Sequence, residues 1–162
     1  MSHPAHPGQL PLLFSFQFLI PGQGFVACVE LSGKVLRDEE SLPGECWLYG
    51  AEPGGFAGGG QDWAAASLDF KEASHLILLD LAAEAENIGA FRSRVEAFFR
   101  QRDEVVPADW EEALQEVRER GLQLTDLPAT DVGKCPPRVE VREVEAPRPF
   151  TDGPVHWATA AA

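Results

Sequence analysis

The segment from Leu12 to Ile20 constrains this chain more than any other. Phe14, Phe16, Phe18 and Ile20 recur there at every second position, and no Asp, Glu, Lys or Arg occurs from Met1 to Val29. A period of two places all four side chains on one side of an extended strand. Pro21-Gly22-Gln23-Gly24 supplies a turn, and the alternation resumes with Phe25, Ala27, Val29 and Leu31. The spacing predicts a β-hairpin with one strongly apolar face, which must be covered by something else in the molecule.

That uncharged stretch is not read as an export signal, because no positive residues precede it and no clean small-residue cleavage site follows. Leu10 to Ile20 is also too short to cross a bilayer as a helix. The expectation is a soluble, cytoplasmic protein. Cys28, Cys46 and Cys135 agree with a reducing compartment, being odd in number and widely spaced, with no pair at zinc-ligand spacing.

Beyond the hairpin, Lys34 to Gly44 reads as a polar loop with Asp38-Glu39-Glu40 at a solvated tip, and Cys46 to Ala51 as a third strand. Pro53 to Gly60 (PGGFAGGG) reads as an irregular loop, since glycine loses the most backbone entropy on entering regular structure. Trp63 to Glu86 contains neither Gly nor Pro and predicts a long helix started by Gln61 or Asp62. Asn87-Ile88-Gly89 interrupts it. Ala90 to Arg102 predicts a second helix with Phe91, Val95, Phe98 and Phe99 as its apolar stripe, and Asp109 to Gly121 a third, capped by Asp109.

Leu122 to Leu127 suggests a short strand. Val139 to Val144 alternates as an edge strand, guarded by Arg138, Glu140, Arg142 and Glu143. Strands and helices are thus grouped, β-β-β-α-α-α-β. The expected fold is α+β: an antiparallel sheet of three to five strands with two or three helices packed on one face. Residues 10–146 form its single domain. Residues 1–9 are a frayed N-terminus, and 147–162 a tail, loosely ordered or docked through Phe150 and Trp157.

At 162 residues the chain carries 26 Asp and Glu against 13 Lys and Arg, a formal net charge of −13. Such a chain repels phosphate backbones and has no basic cluster, so direct nucleic-acid binding is disfavoured, while a basic protein partner is allowed. No membrane association is expected, and the chain is read as a monomer or a homodimer.

Motifs for chemistry are sparse. The glycine loop matches neither GxxxxGK[ST] nor GxGxxG, and Asp62 at the start of the following helix would repel a phosphate. No nucleotide or other cofactor, no metal and no catalytic residue is assigned. Four Trp and ten Phe are a heavy aromatic load. His75, the one histidine inside a predicted element, reads as a partly buried helix residue.

On the first helix, Asp69, Asp80 and Glu84 fall within about 60° of one another at 100° per residue. That stripe is a solvent-facing edge, a docking edge for a basic partner, or a carboxylate set for a divalent cation, the last implying a metal-dependent hydrolase or nuclease. A third option is a small-ligand pocket under the glycine loop, lined by Trp47, Tyr49 and Phe56.

The hairpin, third strand, glycine-containing loop and a helix opening Gly60-Gln-Asp-Trp-Ala-Ala-Ala together resemble the N-terminal domain of HicB-type antitoxins, over about residues 12–86. The resemblance implies a β-β-β-α-β unit like a reduced ribonuclease H core that blocks a small basic RNA-degrading toxin and often dimerises. The loop AEPGGFAGGG is longer than that family's, and no DNA-binding unit is evident in the acidic C-terminal part. No catalytic residues come with the resemblance. The reading is therefore a non-enzymatic, acidic protein-interaction module.

Overall fold

The computed structural model describes residues 9–39, 42–100, 105–120, 127, 129–131, 133, 136–145 and 155–161. Strands β1 (Gln9–Pro21) and β2 (Val26–Asp38) form the expected hairpin, paired without a break from Gln9↔Asp38 to Pro21↔Val26. Gly24 closes its turn at φ 73°, the left-handed region that only glycine enters freely.

β2 runs through Asp38, so the polar loop expected from Lys34 begins only beyond that residue. Its polar residues are held in the strand by aromatic faces. The Lys34 ammonium sits 4.6 Å over the Trp110 ring, and the Arg37 guanidinium 4.7 Å over Trp63. Asp38 is buried rather than a solvated tip.

One edge of β2 is shared by two partners. Lys34–Asp38 pairs with β3 (Cys46–Glu52), and Ala27–Ser32 pairs with β6 (Arg138–Glu143). A second strand, β4 (Ala57–Gly60), pairs with β3 inside the segment expected to be irregular. The presumed tail also contributes: β7 (His156–Ala161) pairs antiparallel with β1, and β5 (Ala129–Asp131) pairs parallel with β7. The sheet has seven strands in the order β4-β3-β2-β1-β7-β5, with β6 on β2. The α+β class and the mainly antiparallel sheet are as the sequence implies, with more strands than the expected three to five.

Two helices cover the Phe14/Phe16/Phe18 face. In α1 (Trp63–Ala83) the residues turned inward are Ala66, Phe70, Ser74, Leu78 and Ala82, each four apart. Asp62 caps it as expected, its carboxylate accepting from the Ala65 N–H at 2.8 Å. The buried Ser74 hydroxyl donates to the Phe70 carbonyl at 2.9 Å, so it is not left unpaired. α2 (Ile88–Phe99) is capped by Asn87 and turns Phe91 and Val95 inward. The Arg92 guanidinium donates to the Val141 carbonyl, tying α2 to the edge strand β6.

The third helix lies on the other face. α3 (Val105–Arg120) packs Trp110, Ala113 and Leu114 on Leu13, Leu36, Ala51 and Ala160. It starts four residues before Asp109, which is therefore an interior residue and not its cap. Pro107 sits in the first turn, where a missing N–H costs nothing. Trp157 of β7 is docked against Phe14, Phe16, Phe70 and Trp63. Of the suggested strand at 122–127 only Leu127 is described, packed against the core outside any strand, and the Phe150 anchor lies outside the described residues. Among the described residues no helix is long and apolar enough to cross a membrane.

Candidate functional site: the outer face of the first helix

The pattern that fills the core also exposes an opposite arc of α1. Leu68, Glu72, Leu76 and Asp80 are four residues apart and all exposed, with Ala65 and Ala83 on the same arc. Leu68 and Leu76 are 57% and 61% exposed, the values of side chains with nothing over them. A helix apolar on both sides is normally an interior helix. Here only one side is covered by the sheet.

The three carboxylates singled out in the sequence have separate situations. Asp69 is structural: its Oδ2 accepts the Gly59 N–H at 2.9 Å and straps α1 to β4. Glu84 accepts from Arg94 at 3.0 Å across the α1–α2 junction. Asp80 is exposed, and so is Glu72, two turns earlier on the same arc. Neither has an ion-pair partner among the described residues.

The three do not form a metal set. At 1.5 Å per residue Asp69 and Asp80 stand about 16 Å apart along the axis, several times the span of one cation's ligand shell. Among the described residues no group of three His, Cys, Asp or Glu side chains could hold a metal ion. One divalent cation cannot be held by all three carboxylates of this stripe.

Trp47, Tyr49 and Phe56 do not converge on one pocket either. Phe56 belongs to the main core, 4.8 Å from the Phe70 ring and 6.3 Å from Phe99. Trp47 and Tyr49 alternate with the core residues Cys46 and Leu48 on β3, so they stand on the opposite side of the sheet. Burial and the carboxylates of Asp38 and Glu45 raise the Tyr49 hydroxyl above its ordinary range. His75 is half-buried, its ring stacked on Phe18 at 5.2 Å.

A cleft of about 230 Å³ opens elsewhere, where the edge of β2 passes from β6 to β3. Leu31, Phe99, Val139, Glu52, Glu96 and Arg138 are among the residues that line it. None of Asp69, Asp80, Glu84, Trp47, Tyr49 and Phe56 lines it. Its position depends on the β2 edge changing partners, for which the sequence carries no local sign.

Cys46 is buried beside Arg37, and burial raises its thiol above the usual range, Arg37 opposing more weakly. The thiolate, the reactive form, is thereby disfavoured. Iodoacetamide at pH 8 is expected to spare Cys46 in the native protein and to modify it in urea, as peptide mass spectrometry will report. Native labelling at the denatured rate would show the site to be open.

No protein-family model, curated protein or solved structure matches this chain.

Proposed function

We propose that this protein is a non-enzymatic, acidic interaction module that docks a basic protein partner on the outer face of α1. The observation that carries the reading is the exposed Leu68 and Leu76 pair interleaved with the carboxylates of Glu72 and Asp80, which have no ion-pair partner among the described residues. Exposed leucines at helical spacing offer desolvation energy, and the carboxylates favour a partner whose apolar patch is rimmed by Lys or Arg. The net charge of −13 adds long-range steering toward such a partner and against nucleic acid. Asp69 and Glu84 extend the acidic border while holding α1 to β4 and α2.

A small basic toxin neutralised in a reducing cytoplasm, as the sequence resemblance to HicB-type antitoxins implies, is the form this reading takes. The free edge of β6 is an unfavourable route to a homodimer, because Arg92 occupies an acceptor on that strand. Either a monomer or a dimer through another edge is compatible with docking on α1.

The test uses two baits at low ionic strength, the wild type and Leu68→Gln/Leu76→Gln. Glutamine retains helix propensity and leaves the net charge unchanged. A basic protein held by the wild type, released by salt and lost from the double variant is the expected result. Equal capture by both baits would remove the α1 face from the account, leaving only non-specific charge attraction.

A further inference from the structure

A second surface recognises cations by different means, on the side of the sheet away from α1. Trp47 faces Gly59 across the β3–β4 ladder. A Cβ placed on Gly59 would fall 2.7–2.8 Å from three atoms of the indole, so the ring lies face-on upon the glycine. The Tyr49 ring is inclined by only 14° to the indole, with its centroid 6.2 Å away. The two rings run nearly parallel, and the inner face of the indole rests on β4. Both residues are half-buried.

Carboxylates frame this surface. Glu45 accepts from the Trp47 indole N–H at 2.7 Å through one oxygen, and its second oxygen has no other partner among the described residues. Asp38 is the cross-strand neighbour of Trp47 and accepts from Gln9 at 3.3 Å. Two electron-rich ring faces bordered by acids attract a cation, and a planar guanidinium satisfies rings and carboxylate together. Elsewhere in the fold the chain pairs its own cations with tryptophan faces in the same manner, Lys34 on Trp110 and Arg37 on Trp63. The Trp47–Tyr49 surface has no such internal guest among the described residues.

We propose that the Trp47–Tyr49 surface is an arginine-binding subsite, taking a guanidinium from an extended segment of a basic protein partner, stacked on the rings and paired to Glu45. This deepens the proposed function and rests on its basic partner, but uses a separate surface. Glycine at 59 is part of the device: any side chain there would lift the indole from the sheet.

The probe is the peptide acetyl-Gly-Arg-Gly-Arg-Gly-amide, titrated at low salt into the intact protein and followed by NMR. The indole N–H signal that disappears in Trp47→Phe identifies Trp47. The expected result is a saturable shift of that signal and of the Tyr49 ring. Replacing arginine by citrulline, which keeps the shape and removes the charge, should weaken binding about tenfold, and Trp47→Leu should do the same. The citrulline arm needs no variant protein, so it decides even if Trp47→Leu folds poorly. An unmoved Trp47 signal, or equal binding of the citrulline peptide, overturns the subsite. Binding lost in Leu68→Gln/Leu76→Gln with Trp47 unmoved overturns it while leaving the α1 docking face standing. Binding at Trp47 by a protein whose α1 variant still captures the partner upholds the subsite and removes the α1 face instead.

Discussion

Phe70→Ala is expected to cost about 3–5 kcal/mol of folding stability, the range for truncating a fully buried phenylalanine. Phe70 is the hub of the core. Its ring lies 5.2 Å from Phe14, 6.1 Å from Phe16, 4.8 Å from Phe56 and 5.9 Å from Trp157. These four come from β1, the β3–β4 connection and β7, so one side chain of α1 joins three separate parts of the chain. The cavity cannot close by a single side chain swinging in, because each neighbour is itself fixed by another ring. In a domain whose total stability is of order 5–15 kcal/mol, that loss is a large share. At about 2–4 °C per kcal/mol for this size, the melting temperature should fall by roughly 6–20 °C. Leu76→Ala, on the outer side of the same helix, should change stability by less than about 0.5 kcal/mol. Thermal unfolding of the two variants side by side checks both values, and equal effects would mean that the inner and outer faces of α1 have been assigned wrongly.

Gly58→Ala should be the other severe substitution, although it adds only a methyl group. That carbon would fall 2.3 Å from the Phe70 backbone nitrogen and 2.5 Å from its Cα. Backbone atoms cannot rotate aside as a side chain does, so α1 must lift from β4. Overpacking of this kind costs typically 1–3 kcal/mol, and the backbone clash places this case at about 3 kcal/mol. The lift would also stretch the bond from Asp69 to the Gly59 N–H. Gly55→Ala is the control, since it meets nothing within 4 Å and has only its left-handed φ of 91° against it, at about 1 kcal/mol. Denaturant unfolding that ranks Gly55→Ala as the worse of the two would contradict the close approach of α1 to β4.

The same contact explains what was legible in the sequence and what was not. The β1–β2 hairpin announces itself, because Phe14, Phe16, Phe18 and Ile20 carry a period that only a one-sided strand satisfies. The start of α1 is written in Asp62, whose side chain accepts from the N–H three residues on. Asn87 caps α2 in the same way, although Asn87-Ile88-Gly89 reads in the sequence as a break before a helix from Ala90. β4 is invisible by the same logic. Its glycines have no face and no propensity, and they stand in a strand because α1 needs bare backbone to rest on. β7 is similar: Ala and Thr give little alternation, and its strand is imposed by β1 and by the ring cluster around Trp157. Lys34, Arg37 and Asp38 look like loop residues until Trp110 and Trp63 are placed beside two of them. Position in the fold, not local preference, decides these segments.

The candidate site was half legible. The acidic stripe of α1 follows from helical geometry, but its meaning does not, because Asp69 and Glu84 spend their charge on internal partners while Asp80 does not. Neither Leu68 nor Leu76 stands out in the sequence from the other leucines of this helix. Which of them the sheet leaves uncovered depends on the path of α1 over β4 and β1. Trp47 and Tyr49 read in the sequence as a pocket lining together with Phe56, but their placement on the other side of the sheet, against Gly59 of the neighbouring strand, is set by the fold.

The most direct measurement of the α1 docking face is a calorimetric titration with a short helical peptide whose leucine stripe is flanked by lysines. Wild-type protein and Leu68→Gln/Leu76→Gln are compared across a range of salt concentrations. The docking face predicts one saturable site on the wild type, weakened by salt, and an affinity at least about tenfold lower for the double variant, equivalent to about 1.4 kcal/mol. Identical affinities for the two proteins at every salt concentration would contradict it, because attraction would then follow net charge alone and the exposed leucines would have no part in binding.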